Sequence, residues 1–193
     1  MKTLLLLAAL TAQISRADTT NLVEILPYVE KFSQALELGG FPQPLTTNEV
    51  TEFRVIRGAG LVLSRVFIQN HWQFGFNAKE GYISSFTDRN HSLTVLYKAE
   101  DLVPLLLPSK LTKKEAAALA ERYLKRLGYD PSLAMPPTVK QWRWEPKQGE
   151  KGLLPIFMVN FPRKCDPESD LYFVEIDGLR ERVNHFSTTN FPR

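Results

Sequence analysis

Short runs rich in apolar and β-branched residues recur along this chain, and in residues 71–77 apolar and polar positions alternate as they do in a half-buried strand. Nine runs of this kind predict strands, and they cover residues 52–57, 61–69, 71–77, 82–86, 93–97, 138–144, 153–161, 171–176 and 182–187. Two other stretches, residues 21–38 and the segment that follows Thr112, repeat their hydrophobic positions every three or four residues, which is typical of helices. The pattern therefore predicts a helix followed by strands, twice.

The first predicted helix contains a proline near its start. Its hydrophobic positions are followed by the stop signal Gly39-Gly40, and they are Leu22, Ile25, Val29, Phe32 and Leu36. A proline is tolerated best in the first turn of a helix, where its missing N–H group has no partner to lose. Because of Pro27, we expect the regular helix to begin near Leu26.

The second predicted helix has clear signals at both ends. Thr112 is followed three residues later by Glu115, which is the spacing of a capping box. Gly128 suits the C-terminal end of the helix. We expect one face to pack on the sheet, formed by Ala116, Leu119, Ala120, Tyr123 and Leu127.

The second half of the chain repeats the plan of the first. Residues 74–90 and 173–190 both read as strand, turn and strand, and each pair follows a helix, a Pro-rich connector and further strands. We therefore predict an α+β fold of two tandem modules, each with one helix packed on an antiparallel sheet of about four strands. The first module spans residues 18–98, a linker spans 99–110, and the second module spans 111–193. Phe86 should align with Phe186.

The N-terminus resembles a secretory signal peptide. Lys2 precedes the apolar run 4–10, and small residues at Ser15 and Ala17 place a cleavage site after Ala17. The apolar run is shorter than the ~20 residues that span a bilayer, and no later segment reaches that length. We therefore expect residues 1–17 to be removed, no membrane span, and a secreted or periplasmic protein.

The charge of the chain argues against nucleic-acid binding. The formal net charge is +3, and removal of residues 1–17 takes away Lys2 and Arg16 but no acidic residue, which leaves +1. No basic stripe of the kind that phosphate backbones require is present in the sequence. Cys165 is the single cysteine, so an internal disulfide is impossible, and we interpret it as an incidental thiol in a polar turn.

Few residues suggest catalytic chemistry. The three histidines, His71, His91 and His185, lack the spacing of a helical zinc motif, and no nucleophile motif is present. The sequence therefore predicts no catalytic, cofactor or metal site, and a protein that is not an enzyme.

Two tryptophans are the candidate binding residues. Alternation along a strand places Trp142 and Trp144 on one face, with Arg143 on the other. Such a pair either fills the core beneath a helix or contacts a partner from the surface. We expect the pair to fill the core beneath the helix, and we keep Trp142, Trp144 and Arg143 as candidate partner-binding residues.

The second module resembles a PepSY-type domain. The resemblance lies in the capped, alanine-rich helix start at residues 112–120, the strand and Asp-Gly turn at 172–178, and the following Arg182-Val183. It covers residues 111–187 and, more faintly, 21–90. It implies a cystatin- or PepSY-like fold and a secreted, non-catalytic module that binds a protein or peptide partner, for example a peptidase that it restrains or an envelope protein. The alternative is a small secreted enzyme or ligand carrier, which would use the concave face of a sheet, near His71 or His185, as a pocket.

Overall fold

The computed structural model describes residues 20–58, 61–92, 108–144 and 152–189. Two helices, α1 (Leu22–Ala35) and α2 (Lys113–Arg126), pack on one sheet of eight strands. The strands are β1 (Val50–Gly58), β2 (Leu61–Ile68), β3 (Trp72–Asn77), β4 (Tyr82–Asp88), β5 (Thr138–Trp144), β6 (Gly152–Pro162), β7 (Asp170–Asp177) and β8 (Arg182–Thr188). The predicted strand at 93–97, the signal peptide and most of the linker lie outside the described residues.

The sheet is antiparallel throughout, with the order β1-β2-β3-β4-β8-β7-β6-β5. The α+β class is therefore confirmed. The two groups of four strands do not form two separate sheets, because β4 pairs with β8 and joins them edge to edge. Strands with unpaired edges attract other strands, and pairing between β4 and β8 removes two such edges.

One row of apolar side chains crosses the middle of the sheet on the helix side. Successive Cα partners share a face, and this row runs through Val66, Phe74, Phe86, Phe186, Val174 and Val159, all essentially buried. Full burial of such a side chain contributes roughly 1.5–3 kcal/mol. The row belongs to one hydrophobic core that both helices cover.

Helix α1 begins earlier than the sequence predicts. Asn21 is its N-cap, and the Asn21 side chain accepts a hydrogen bond from the backbone N–H of Val23 at 3.1 Å. The expectation of a start near Leu26 is wrong, because Pro27 lies inside the helix. The core contacts of the helix offset the hydrogen bond that the proline removes, since Ile25, Leu26, Val29 and Phe32 are buried.

Helix α2 has the predicted capping box. The Oγ1 of Thr112 accepts from the N–H of Glu115, and the carboxylate of Glu115 accepts from the N–H of Thr112 at 2.8 Å. Its buried face differs from the predicted one, because Leu124 is fully buried while Leu119 and Leu127 are only partly buried. Leu127 lies on the same face by helical spacing, but it is the C-cap residue after the last turn, whereas Leu124 lies within the helix and widens the buried stripe of Ala116, Ala120 and Tyr123.

The hairpins β3–β4 and β7–β8 correspond at a separation of 100 residues. Phe76 pairs with Ile83 and Ile176 with Val183, and each hairpin has a register shift one residue before that pair. The connecting turns, residues 78–81 and 178–181, are equal in length. In the second turn Asp177 accepts from the N–H groups of Leu179 and Arg180, which confirms the predicted turn at Asp177-Gly178.

Among the described residues, no helix is long and apolar enough to cross a membrane.

Candidate functional site

A cluster of charged side chains lies where the first four strands meet the last four. Asp88 ends β4, and its side chain is 1% exposed. Its Oδ1 is 3.0 Å from Nε2 of His71, and both carboxylate oxygens are 3.0 Å from Nδ1 of His91. Its Oδ2 is 2.8 Å from Nη2 of Arg182 at the start of β8. We call these four residues the junction cluster.

The register of two strand pairs assembles the junction cluster. Trp72 pairs with Asp88 across the β3–β4 hairpin, which places His71 beside the end of β4. The antiparallel contact of β4 with β8 brings the start of β8 toward the end of β4, so Arg182 reaches Asp88 from the other half of the chain. The cluster therefore depends on the pairing that unites the sheet.

The electrostatics of the junction cluster favour an ionised Asp88. Burial by itself raises the pKa of this carboxyl group, but the hydrogen bond with His91 and the electrostatic interactions with His91, Arg182 and His71 outweigh burial. The pKa of Asp88 is therefore held below its usual range. A buried carboxylate needs cationic partners, and here it has an arginine and two imidazoles.

The junction cluster combines ligand types that bind transition metals. Two imidazole nitrogens and a carboxylate oxygen lie within 4.8 Å of one another. Sequence spacing missed this cluster, because His71 and His91 are brought together by hairpin register and not by a helical repeat. The turn at 78–81 is the feature of the sequence that could have indicated the cluster, because it fixes the strand register that places His71 next to Asp88.

The third histidine lies apart from this cluster. His185 pairs with Thr87, and Thr87 alternates with Phe86, so His185 is on the face of the sheet away from the helices. Its Nδ1 is 2.9 Å from Oγ1 of Thr87, and its ring lies 5.6 Å from that of Phe173. Burial lowers the pKa of His185 to about 4, so the imidazole is neutral at physiological pH.

A cleft of about 270 Å³ lies between the two helices. Its walls come from α1, from the end of α2 and from the β3–β4 turn, and the side chains that give it chemical character are Tyr28, Lys31, Tyr82, Arg126 and Tyr129. Arg126 is already held by Glu37 at 2.8 Å, and the hydroxyl of Tyr129 donates to the carbonyl of Ile83 at 2.8 Å. No histidine is among its described lining residues.

The two outer strands of the sheet carry exposed apolar side chains. On β1, Val55 is 36% and Ile56 is 42% exposed, and Leu61 at the start of β2 is 59% exposed. At the opposite edge, Trp142 of β5 is 40% exposed. Within the described strands, β1 pairs only with β2 and β5 only with β6.

Of the two tryptophans in the predicted pair, the structure describes the side chain of Trp142. The register of β5 against β6 shifts between Gln141 and Arg143, which interrupts the regular alternation at Trp142. Trp142 lies at the surface and does not fill the core beneath α2. The side chains of Arg143 and Trp144 lie outside the described residues, so their part in a binding site stays a prediction.

No protein-family model matches the chain. No curated protein matches it either. Among solved structures, the C-terminal domain of YpeB from Bacillus megaterium is similar in fold, with a TM-score of 0.41 and 10% sequence identity. The match covers 86% of this chain and 67% of that chain. The likeness is weak, and the PepSY resemblance stays a prediction.

Proposed function

We propose that this chain is a secreted, non-catalytic binding protein that takes an extended segment of a partner protein at an outer edge of its sheet. The apolar run and small residues at the N-terminus support secretion. The PepSY resemblance implies two kinds of partner, a peptidase that the chain restrains or an envelope protein that it binds.

The single observation that carries this proposal is where the exposed apolar side chains lie. Among the described residues, seven large hydrophobic side chains are exposed, and four of them belong to the outer strands or to the β1–β2 hairpin: Val55, Ile56, Leu61 and Trp142. Isolated exposed hydrophobic residues are ordinary, but concentration on the two open edges of a sheet is a feature of strand-adding interfaces.

Strand β1 has the features that an added strand requires. It is nine residues long, and its residues from Arg54 to Gly58 are all exposed. Alternate backbone N–H and C=O groups of such an edge face away from β2 and can pair with another extended chain. Val55 and Ile56 point to opposite faces of the strand, so a partner would be gripped on both faces.

The charges on the β1–β2 hairpin indicate an acidic partner segment. Arg54, Arg57 and Arg65 lie on this hairpin, and Glu52 contacts Arg54. The remaining positive charge would steer an acidic segment toward the edge and set its register, while the apolar contacts supply most of the affinity.

We also propose that the two halves are an internal repeat that forms one joined sheet. Both helices have fourteen residues, and both halves contain four sequential antiparallel strands. Corresponding positions in the β3–β4 and β7–β8 hairpins differ by 100 residues, including the site of the register shift. If a two-fold axis relates the two halves and passes between β4 and β8, a residue beside the axis lies opposite the residue 100 positions later. Phe86 and Phe186 are paired in this way.

The enzyme or carrier alternative has less support. A pocket lined by His71 or His185 with a nearby carboxylate would favour it, but the described cleft between the helices is lined by neither histidine. The helix side of the sheet is filled by aromatic side chains, among them Phe32, Phe74 and Phe86. A filled core favours a binding surface over an internal pocket.

The proposal is tested by photocrosslinking from single positions in the producing cell. A photoreactive amino acid replaces Ile56 or Trp142 at the edges, and Val23 serves as the control because it is 63% exposed and belongs to α1 and not to an outer strand. We expect one protein to be captured through an edge position and not through Val23. With the captured partner purified, Ile56→Lys or Trp142→Lys should weaken binding at least about tenfold, and Val23→Lys should leave it unchanged.

Equal capture from all three positions, or equal binding by all three lysine variants, would overturn the assignment of the edges. Melting temperatures of the variants should match that of the parent, since all three side chains are exposed.

A further inference from the structure

The junction cluster has a second property beyond its place at the β4–β8 contact. We propose that His71, Asp88 and His91 bind one divalent first-row transition metal ion such as Zn²⁺. When no metal is bound, Arg182 is the cation that holds the carboxylate of Asp88.

The donor atoms have the spacing that such an ion needs. Tetrahedral zinc with bonds of about 2.0–2.1 Å separates its ligand atoms by about 3.3 Å. Here Oδ1 of Asp88 is 3.0 Å from Nε2 of His71 and 3.0 Å from Nδ1 of His91, and the three donors lie within 4.8 Å of one another. A small outward shift of either imidazole would open the space for the ion.

Hydrogen bonds already hold the backbone that carries these donors. The carbonyl of Asp88 accepts from the N–H of Ser92 at 2.8 Å, and the carbonyl of His91 accepts from Nδ2 of Asn184 at 2.9 Å. The ring of His71 stacks on Trp72 with centroids 4.1 Å apart and an interplanar angle of 11°. Supports of this kind orient ligands before a metal arrives.

Without a metal, the contacts of His91 are in conflict. Its Nδ1 lies 2.8 Å from Nη2 of Arg182 and 3.0 Å from the carboxylate of Asp88. A ring nitrogen has either one hydrogen or one lone pair, so it cannot both donate to the carboxylate and accept from the guanidinium. A metal ion accepts the lone pair of Nδ1 and the charge of Asp88 together, and this resolves the conflict.

The side chain of Arg182 is placed so that it can move away from Asp88. Its side chain is 25% exposed, whereas that of Asp88 is 1% exposed. Its Nε is buried with no hydrogen-bond partner among the described residues, so the arginine is not fully satisfied where it lies. A metal ion bound to this carboxylate and the guanidinium of Arg182 would repel each other, so we expect metal binding to compete with the Arg182 contact.

The sheet does not require this cluster for its architecture. At the separation of 100 residues, His71, Asp88 and Arg182 correspond to Leu171, Thr188 and Tyr82, none of which offers an imidazole or a carboxylate. The related corner of the sheet is therefore built without these groups. Their presence in one corner only is expected of a binding site and not of a structural necessity.

The test is calorimetric titration of the tag-free, metal-stripped protein with ZnCl₂. We expect one Zn²⁺ per chain, together with a rise in melting temperature. His71→Ala and His91→Ala each remove a ligand and should weaken binding by at least the roughly 100-fold that loss of an outer-shell partner can cost. His185→Gln is the matched control, because it removes the histidine outside the cluster and should leave zinc affinity unchanged.

Arg182→Gln separates this proposal from a plain ion-pair cluster. If Arg182 competes with the metal, its removal should tighten zinc binding by about tenfold. Absence of stoichiometric binding, zinc affinity equal to that of the parent in either alanine variant, or weaker binding by a folded Arg182→Gln protein would overturn the proposal. The variants at His71 and His91 are suitable because both side chains are partly exposed, and circular dichroism checks that each protein folds.

Discussion

Phe86 of β4 lies directly opposite Phe186 of β8, and both side chains are buried at the line where the two halves of the sheet meet. The ring of Phe32 from α1 lies 6.1 Å from Phe86 and 5.8 Å from Phe186. A helix of the first half therefore contacts a strand of the second half. The two halves share one core, so their stabilities are coupled.

Removal of a buried side chain from the contact between β4 and β8 should destabilise both halves of the chain, which should unfold in one transition. Phe186→Ala removes a buried ring and should cost about 3–5 kcal/mol in the free energy of unfolding. In urea unfolding, the curves from tryptophan fluorescence and from circular dichroism should coincide with each other for the parent and also for the variant, with the variant's transition at lower urea. Two separate transitions, with only one of them shifted by the variant, would mean that the halves fold independently.

Helix α2 should depend on Leu124 more than on Leu127. Leu124 is fully buried and Leu127 is only partly buried at the C-terminal end. Leu124→Ala should cost about 2–5 kcal/mol, and Leu127→Ala clearly less. Thermal or urea unfolding of the two variants side by side measures the order, and a larger cost at Leu127 would mean that α2 is rotated on the sheet.

The start of α2 should depend on the hydroxyl group of Thr112. Its Oγ1 accepts from the backbone N–H of Glu115, which leaves that donor unsatisfied if the hydroxyl is removed. Thr112→Ala should cost about 0.5–2 kcal/mol, while Thr112→Ser keeps the cap and should cost little. Equal unfolding midpoints for the alanine and serine variants would show that the cap contributes nothing measurable.

Acid should destabilise the protein through His185. Burial lowers the folded-state pKa from 6.5 to about 4, so the unfolded state takes up a proton first as the pH falls. The stability that neutral His185 provides is present above pH 6.5 and is lost progressively between 6.5 and about 4, by roughly 3 kcal/mol in total.

His185→Gln isolates this effect because the glutamine does not titrate. Urea unfolding at pH 7.5 and pH 4 gives the loss of stability for each protein, and the parent should lose about 3 kcal/mol more than the variant. Parallel pH profiles for the two proteins would show that His185 titrates normally in the folded state.

Local patterns in the sequence predicted most of the secondary structure. Short runs rich in apolar and β-branched residues located all eight described strands, and the Thr112–Glu115 spacing located the start of α2. Pro27 misled the prediction for α1, because propensity argued against a proline that tertiary packing accommodates.

What local patterns could not predict was the pairing between distant parts of the chain. Nothing in the sequence of β4 or β8 marks them as partners. The sequence therefore predicted two separate sheets, whereas the structure has one joined sheet. The same long-range register assembles the junction cluster from Asp88 and Arg182, which are 94 residues apart. Side-chain clusters of this kind become visible only when the register is known.

Hydrogen exchange of the complex tests most directly whether a partner segment pairs with a sheet edge. In the free protein, the outward-facing amides of an edge strand exchange quickly because they have no strand partner. With the partner captured through Ile56 bound, the amides of β1 should become protected while those around the cleft between α1 and α2 remain unchanged. Protection confined to the cleft residues Lys31, Tyr82 and Arg126, with β1 unaffected, would contradict the account.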